Sequence, residues 1–351
     1  LTAVATTDRL CAMHGFDPDA AAVPGSGIFG LTSRFEDAAC VLVPVPFDAT
    51  TSYRDGTRNG PAAILAASHQ VDLFDPTTGR PYERGIVMLD ADPRIEALSA
   101  NARALALPIL AKGGAVAGDE TALRAVETAQ REVNAIVAES TARILRAGKL
   151  PGIVGGDHSV PLGAIAAAAA HHGGLGILHI DAHADLRVAF EGFRYSHASI
   201  MDNVLEEVPS IERLVQLGIR DFGHAEFDRI HASDGRIVTW FDVEWQRRKF
   251  AGEPLAKLIG ELIAPLPAQV WISVDIDGLD PALCPNTGTP VPGGLGFVET
   301  CLVLEGLARS GRRIVGFDLV EVAPGADGDE WDANVGARLL YKLCGFALST
   351  N

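Results

Sequence analysis

Gly155-Gly156-Asp157-His158-Ser159, Asp181-Ala182-His183-Ala184-Asp185 and Asp275-Ile276-Asp277 bring two imidazoles and five carboxylates into three short clusters, each closing an apolar run. One divalent ion does not need so many donors; two ions sharing bridging oxygens do. Alternate residues of an extended segment share a face, so Asp181, His183 and Asp185 can converge, as can Asp275 and Asp277. The glycines before His158 let the backbone come close to an ion. Asp157 suits a different task, orienting His158 or capping the following turn. The charges agree with a pair of ions: Asp181, Asp185, Asp275 and Asp277 cancel two divalent cations, and a bridging hydroxide would balance a monocationic substrate. Ions roughly 3.5–4 Å apart lower the pKa of a shared water enough to give hydroxide near neutral pH. Oxygen-rich donors with two imidazoles suit Mn²⁺, Ni²⁺ or Co²⁺. A single Asp-x-Asp is ordinarily a turn or cap, but three such clusters at strand ends are not explained that way. Two-metal phosphoesterases also use Asp-x-His, yet they need a Gly-Asn-His-Glu/Asp segment and further downstream histidines. After His197 this chain has only His224 and His231.

The elements that must hold these clusters can be read from the apolar pattern. Continuous Val/Ile/Leu runs predict strands at Cys40–Val45, Gly85–Leu89, Gly152–Val154, Leu175–Ile180, Leu214–Leu217, Arg236–Phe241, Val270–Val274 and Ile314–Leu319. Such runs, without strict alternation, mark strands buried on both faces. Between them, three- and four-residue steps predict a long amphipathic helix from about Glu120 to Ala147, with Gly148 as its C′ residue. Further helices are expected after Pro61, after Pro161, and from Pro254, Phe297 and about Ala333. This alternation predicts an α/β fold, three-layer αβα, with a mostly parallel eight-stranded sheet. The three clusters then fall beyond the carboxyl ends of strands, where open parallel sheets bind ligands. Residues 1–35, punctuated by Pro24-Gly25-Ser26-Gly27, read as an N-terminal arm, and residues 36–351 as one catalytic domain.

The chain has 351 residues, 48% hydrophobic, which is ample for a sizeable core. A net charge of −16 argues against a nucleic-acid partner and favours a small cationic one. No apolar run reaches the roughly 18–20 residues of a membrane span, and the opening residues lack the pattern of a signal peptide. Cys11, Cys40, Cys284, Cys301 and Cys344 are scattered and form no CxxC pair. They read as free thiols of a cytoplasmic protein, with no thiolate metal site.

The three clusters, with Leu-Gly-Ile-Arg (217–220), Thr-Gly-Thr-Pro-Val-Pro-Gly-Gly (287–294) and Gly-Phe-Asp-Leu-Val-Glu-Val-Ala-Pro (316–324), resemble the signatures of the ureohydrolase (arginase/agmatinase) family from about Cys40 to the C-terminus. The resemblance implies a binuclear metal centre, hydrolysis of a guanidinium group to urea plus an amine, and trimers or hexamers. It implies His158, Asp181, His183, Asp185, Asp275 and Asp277 as ligands, in agreement with the reading from the residues. His197, in Tyr-Ser-His-Ala-Ser, matches the family's catalytic histidine; one titrating near neutrality would shuttle a proton to the leaving amine. Glu321 matches the glutamate that grips the guanidinium, Thr289 a pocket threonine. His179 is expected to be a satisfied core histidine. Arg187 stands where arginase-type members place an asparagine, and Gly223 where they place an aspartate, while Glu226 is retained; arginine is therefore a poor fit. Arg187 would add positive charge near the mouth unless a neighbour such as Glu191 neutralises it.

Gly-Ile-Phe-Gly-Leu (27–31), Val-Asp-Leu-Phe-Asp-Pro (71–76) and Glu-Gly-Phe-Arg-Tyr-Ser-His-Ala-Ser-Ile-Met (191–201) are similar to an agmatinase-like subgroup acting on guanidine or small substituted guanidines such as metformin. That likeness implies nickel as an alternative to manganese, and a homologous second subunit as an alternative to a homo-oligomer. Agmatinase or guanidinobutyrase activity, and a non-catalytic metal-binding subunit, are the competing expectations.

Overall fold

The computed structural model describes residues 16–23 and 25–351; Cys11, Pro24 and the rest of residues 1–15 lie outside the described residues. Eight strands pair in parallel in one sheet: β1 (Cys40–Val45), β2 (Ile86–Met88), β3 (Leu150–Gly155), β4 (Leu175–Ile180), β5 (Ile211–Ile219), β6 (Ile237–Phe241), β7 (Gln269–Asp275) and β8 (Arg313–Val320). Their order is β2-β1-β3-β8-β7-β4-β5-β6. All eight predicted strands are present. The structure lengthens β5 and β8 with polar residues such as Glu212 and Arg313, and β3 with Leu150, Pro151 and Gly155.

Among the described residues ten helices cover the sheet: α1 (Gly60–Ser68), α2 (Pro93–Leu110), α3 (Glu120–Arg146), α4 (Leu162–His172), α5 (Ile200–Glu207), α6 (His224–Ala232), α7 (Asp242–Phe250), α8 (Leu255–Ile263), α9 (Phe297–Arg309) and α10 (Trp331–Ser349). Alternate side chains of each strand enter opposite layers. Thus Cys40 and Leu42 of β1 join one core with Ile64 of α1, Trp245 of α7, Leu258 of α8, Val303 of α9 and Leu339 of α10. Val41 and Val43 join the other with Ile95 of α2, Val133 of α3, Ile165 of α4, Val204 of α5 and Ile230 of α6. The result is the three-layer αβα arrangement.

The long helix α3 ends as its sequence indicates. Gly148 takes φ +70°, and the Gly148 and Lys149 N–H groups donate to Leu145 O (2.9 Å) and Ile144 O (3.1 Å), closing the last turn. Four helices, α2 and α5–α7, go beyond the expected set. The Asp92 carboxylate caps α2 by accepting from Arg94 N–H at 2.9 Å, and Pro93 sits at its first position. Its Pro108 breaks the helical pattern on paper but falls in the last turn. Helices α5, α6 and α7 are eight or nine residues long, as are α1 and α8, but no proline marks their starts as Pro61 and Pro254 mark those two.

Residues 28–31, expected to belong to the arm, are packed into the chain's own core. Ile28, Phe29 and Leu31 are buried, the Phe29 ring stands edge-on to Tyr341 of α10, and Phe29 N–H donates to Ser68 Oγ at 2.9 Å. Cys40, Cys284, Cys301 and Cys344 are free thiols. No helix among the described residues is long and apolar enough to cross a membrane.

Strand order decides which loops can meet. β3, β8, β7 and β4 lie side by side at the sheet's centre. Register aligns Val154 with Leu319, Leu319 with Val274, and Val274 with Ile180, so the four strands finish level. The residues just beyond these ends are His158, Glu321, Asp275 to Asp277, and Asp181 to Asp185.

Candidate metal centre

The loops leaving the four central strands fold over one another because glycine permits it. A Cβ on Gly156 would lie 1.9 Å from Phe47 O, and one on Gly278 would lie 2.7 Å from Asp181 N. Neither position tolerates a side chain. Arg220, the last residue of Leu-Gly-Ile-Arg, ties the end of β5 to the loop after β7 by donating to Gly218 O (3.0 Å), Asp277 O (2.6 Å), Leu279 O (3.1 Å) and Val291 O (3.0 Å). Asp185 and Glu321 both hold left-handed backbone, with φ of 54° and 62°. Non-glycine residues in that region mark sites where the surroundings impose the conformation.

All six expected ligands come together. His158 Nδ1 lies 3.0 Å from Asp181 Oδ2, 3.2 Å from Asp185 Oδ2 and 3.3 Å from Asp275 Oδ2. His183 Nδ1 lies 3.1 Å from Asp277 Oδ2 and 3.4 Å from Asp181 Oδ1. Two donor groups result, one around His158 and one around His183, and Asp181 offers one oxygen to each. This donor set fits two divalent ions: nitrogen lone pairs and carboxylate oxygens converge on two adjacent points with a shared carboxylate between them.

The electrostatics point the same way. Burial and the charge of Asp181 push the Asp185 carboxyl up to about 7. Burial, with Asp277 and Asp181 alongside, holds Asp275 well above its usual range. Burial opposes charge on His183, but Asp277 and Asp181 overcome it and raise the imidazole to about 12. His158 is raised for the same reason, three carboxylates outweighing burial. Carboxylates so crowded take up protons unless another cation balances them.

Behind the ligands runs a set of hydrogen bonds that the sequence did not reveal. His158 Nε2 meets Ser273 Oγ at 2.9 Å; that hydroxyl donates to Asp318 Oδ1 at 2.8 Å, and Trp271 Nε1 donates to Asp318 Oδ2 at 2.6 Å. A proton on Nε2 leaves the Nδ1 lone pair free for an ion. His179 is buried and satisfied, as expected, but its partner is one of the expected ligands: Nε2 lies 2.8 Å from Asp181 Oδ2. Gln216 Nε2 approaches His179 Nδ1 at 3.0 Å and donates to Ala184 O at 2.8 Å, while Thr239 Oγ1 donates to Gln216 Oε1 at 2.8 Å. Both nitrogens of His179 are thereby engaged, so although it lies close enough to join the donor cluster, its bonds suit it to orienting Asp181. A signal for this existed: Asp181 directly follows β4, two residues after His179, so both fall on one face of the extended run. Asp157 caps its turn, accepting from Ser159 N–H at 3.0 Å.

A cavity of about 180 Å³ opens above the donors, lined by His183, Asp185, His197, Thr289, Arg187, Phe190, Asp221 and Glu226 among others. Thr289 Oγ1 donates to Asp277 Oδ2 at 3.3 Å. His197 opens the turn before α5, its ring edge-on to Phe190, and its Nδ1 is buried without a partner. Burial and the nearby His183 and His158 push its imidazole down to about 3. His197 is therefore held neutral, which differs from the expected titration near neutrality. Glu321 is buried next to the donors and does not line the cavity. Its Oε1 accepts from His158 N–H at 2.9 Å, and Oε2 faces Gly288. Arg187 lies over the Phe190 ring and 3.6 Å from Glu226 Oε2. The acid beside Arg187 is thus Glu226, not Glu191.

Residues 38–345 match the arginase family. The chain is 33% identical over 313 residues to N(1)-aminopropylagmatine ureohydrolase of Thermus thermophilus, covering 89% of this chain and 91% of that one. It is 32% identical over 310 residues to guanidinobutyrase of Pseudomonas aeruginosa, covering 88% and 85%. The structure of proclavaminate amidinohydrolase from Streptomyces clavuligerus superposes with a TM-score of 0.72 at 25% identity, covering 95% of this chain and all of that one. The chain belongs to the arginase family. By that membership it is a hydrolase of carbon–nitrogen bonds in linear amidines, with a metal-binding cluster of histidines and aspartates.

His179→Ala removes the bond that holds Asp181. It should weaken binding of at least one ion by about 10–100-fold, the usual effect of losing such a partner. Competition against a chromophoric chelator measures this; unchanged affinity in a folded variant would return His179 to the core.

Proposed function

We propose that this arginase-family chain hydrolyses a compact guanidinium compound, free guanidine or a biguanide such as metformin, releasing urea or guanylurea with ammonia or an amine. One observation carries the reading. The cavity over the donor cluster is only about 180 Å³, its wall carries Asp185, Asp221 and Glu226, and Arg187 on Phe190 lines it as well. Acid groups suit a cation, and the size suits a short one.

His158, Asp181, His183, Asp185, Asp275 and Asp277 would hold two divalent ions, Ni²⁺ or Mn²⁺. When bound, the ions supply a water of lowered pKa as the nucleophile. The protein's own groups do the rest. Glu321, matched to the family's guanidinium-holding glutamate but lying behind the wall of this cavity with Oε1 held by His158 N–H, would reach the planar cation only through Oε2, past Gly288. Asp185, on its constrained backbone, accepts the proton released by the attacking water. Thr289 fixes the Asp277 carboxylate and borders the substrate. His197, neutral and on the cavity wall, would relay to the leaving amine the proton that Asp185 takes from the water.

A second reading is an agmatinase or guanidinobutyrase with a longer substrate. Glu226 supports it, because a carboxylate 3.6 Å from Arg187 offsets the charge that would repel a second cationic group. Retained ligands and a catalytic wall speak against a non-catalytic subunit. Exposed Val243, Phe250 and Val298 are consistent with a trimer or hexamer, or with pairing to a homologous subunit. The free thiols fit the cytoplasm. We place the arm within residues 1–35 and the catalytic domain in 36–351.

Turnover of guanidine, metformin, agmatine, guanidinobutyrate and arginine should be compared at matched metal loading. We expect kcat/KM for guanidine or metformin at least about tenfold above agmatine, about 1.4 kcal/mol in transition-state binding. Agmatine as the better substrate would replace this reading with the second. His197→Ala should lower kcat by roughly 10²–10⁴ with metal content unchanged; an unaltered kcat would make the residue structural.

A further inference from the structure

Among the described residues that line the cavity over the donor cluster, Phe190 is the one large apolar side chain; the others are polar or, in Ala198, small. His197 stands edge-on to its ring with centroids 5.9 Å apart, and the Arg187 guanidinium carbon lies 4.9 Å from the ring centre. The ring therefore adjoins both the proposed proton relay and the guanidinium that lines the cavity. It has no donor, acceptor or charge to offer to either ion or substrate. Its contribution is shape and the absence of a polar partner.

The backbone beneath the ring is braced. Phe190 and Phe193 pair across a two-residue turn, Phe190 N–H donating to Phe193 O at 3.0 Å and Phe193 N–H to Phe190 O at 2.9 Å. Both central residues take positive φ, Glu191 at 53° and Gly192 at 96°, as the tightest hairpin turns require. At Glu191 that conformation is costly, and the surroundings have to impose it. The loop between α2 and α3 does so: Ala115 N–H donates to Glu191 O at 3.0 Å, and a Cβ on Gly192 would lie 2.5 Å from Ala115 Cβ. Phe193, on the far side of the turn, is buried in the core. A ring mounted between two such anchors yields little to a ligand pressed against it.

We propose that Phe190 sets the limit on substrate length. Its ring fills space that a longer tail would need, and so confines turnover to guanidine and to guanidines with small apolar substituents. A methyl group laid against the ring gains by leaving water. An aminobutyl or carboxypropyl tail would bring a charged head against a face with no hydrogen-bond partner, which costs its hydration. The cation–π attraction that would otherwise welcome an ammonium there is already taken by Arg187. This inference rests on the compact-substrate reading above and names the residue responsible for it.

The test uses the full-length, metal-loaded protein. kcat/KM for guanidine, agmatine and guanidinobutyrate is measured in the parent, Phe190→Leu and Phe190→Ala, with metal content matched. In Phe190→Ala the ratios of agmatine to guanidine and of guanidinobutyrate to guanidine should both rise at least about tenfold, the scale on which an apolar wall discriminates. Phe190→Leu should raise both by less, and carries the comparison alone should the alanine variant not fold. The two long substrates have opposite charges at their ends, so a rise in both is an effect of size. A rise for guanidinobutyrate alone traces the change to Arg187 released from the ring and overturns the proposal. A proportional fall for all three substrates assigns Phe190 to the support of His197, and also overturns it. A parent that prefers guanidine, with the same preference in Phe190→Ala, defeats this inference and leaves the compact-substrate reading standing; a parent that prefers agmatine defeats both.

Discussion

Asp181, Asp185, Asp275 and Asp277 lie buried at the ends of two adjacent strands, within hydrogen-bond range of His158 and His183. Four carboxylates so placed repel one another strongly in a medium that screens poorly, and two imidazoles cannot cancel them all. The rest of the fold can be understood as the scaffold that enforces this crowding. Four central strands end level, glycines let their loops close over one another, and Arg220, just beyond β5, holds the loop after β7 with bonds to its carbonyls. Protonation of Asp185 and Asp275 relieves the repulsion when no ion is bound, and two cations relieve it when they are.

Orientation is the second requirement, and it is met from behind. His158 is set by Ser273 and Asp318, Asp181 by His179, Gln216 and Thr239. These partners sit on β4 to β8, inside a sheet packed on both faces, where a polar side chain without a partner would be costly. The same bonds that satisfy them aim the ligands. Stability and metal affinity therefore depend on shared residues in this part of the chain.

Much of this is legible in the sequence, for identifiable reasons. Strands buried on both faces appear as unbroken apolar runs, so Leu175–Ile180 matches its predicted bounds to the residue, and the three clusters stand out because they come directly after such runs. Polar strand ends such as Glu212 and Arg313 are not legible, since main-chain pairing alone extends those strands. Helices α5 to α7 are short and lack the proline that marks the starts of the equally short α1 and α8. The pairing of Arg187 with Glu226 joins residues 39 apart through a contact that no spacing rule anticipates. His179 reads as a core histidine because its strand is apolar, although its place two residues before Asp181 points at the ligand.

The central claim is that Asp181 is shared by two ions, with His158 on one side and His183 and Asp277 on the other. Counting bound metal by mass spectrometry in the parent protein and in Asp277→Asn tests it directly. Two ions per chain in the parent, falling to one in the variant with hydrolysis nearly abolished, is the predicted result. A fully active parent holding a single tightly bound ion would contradict it.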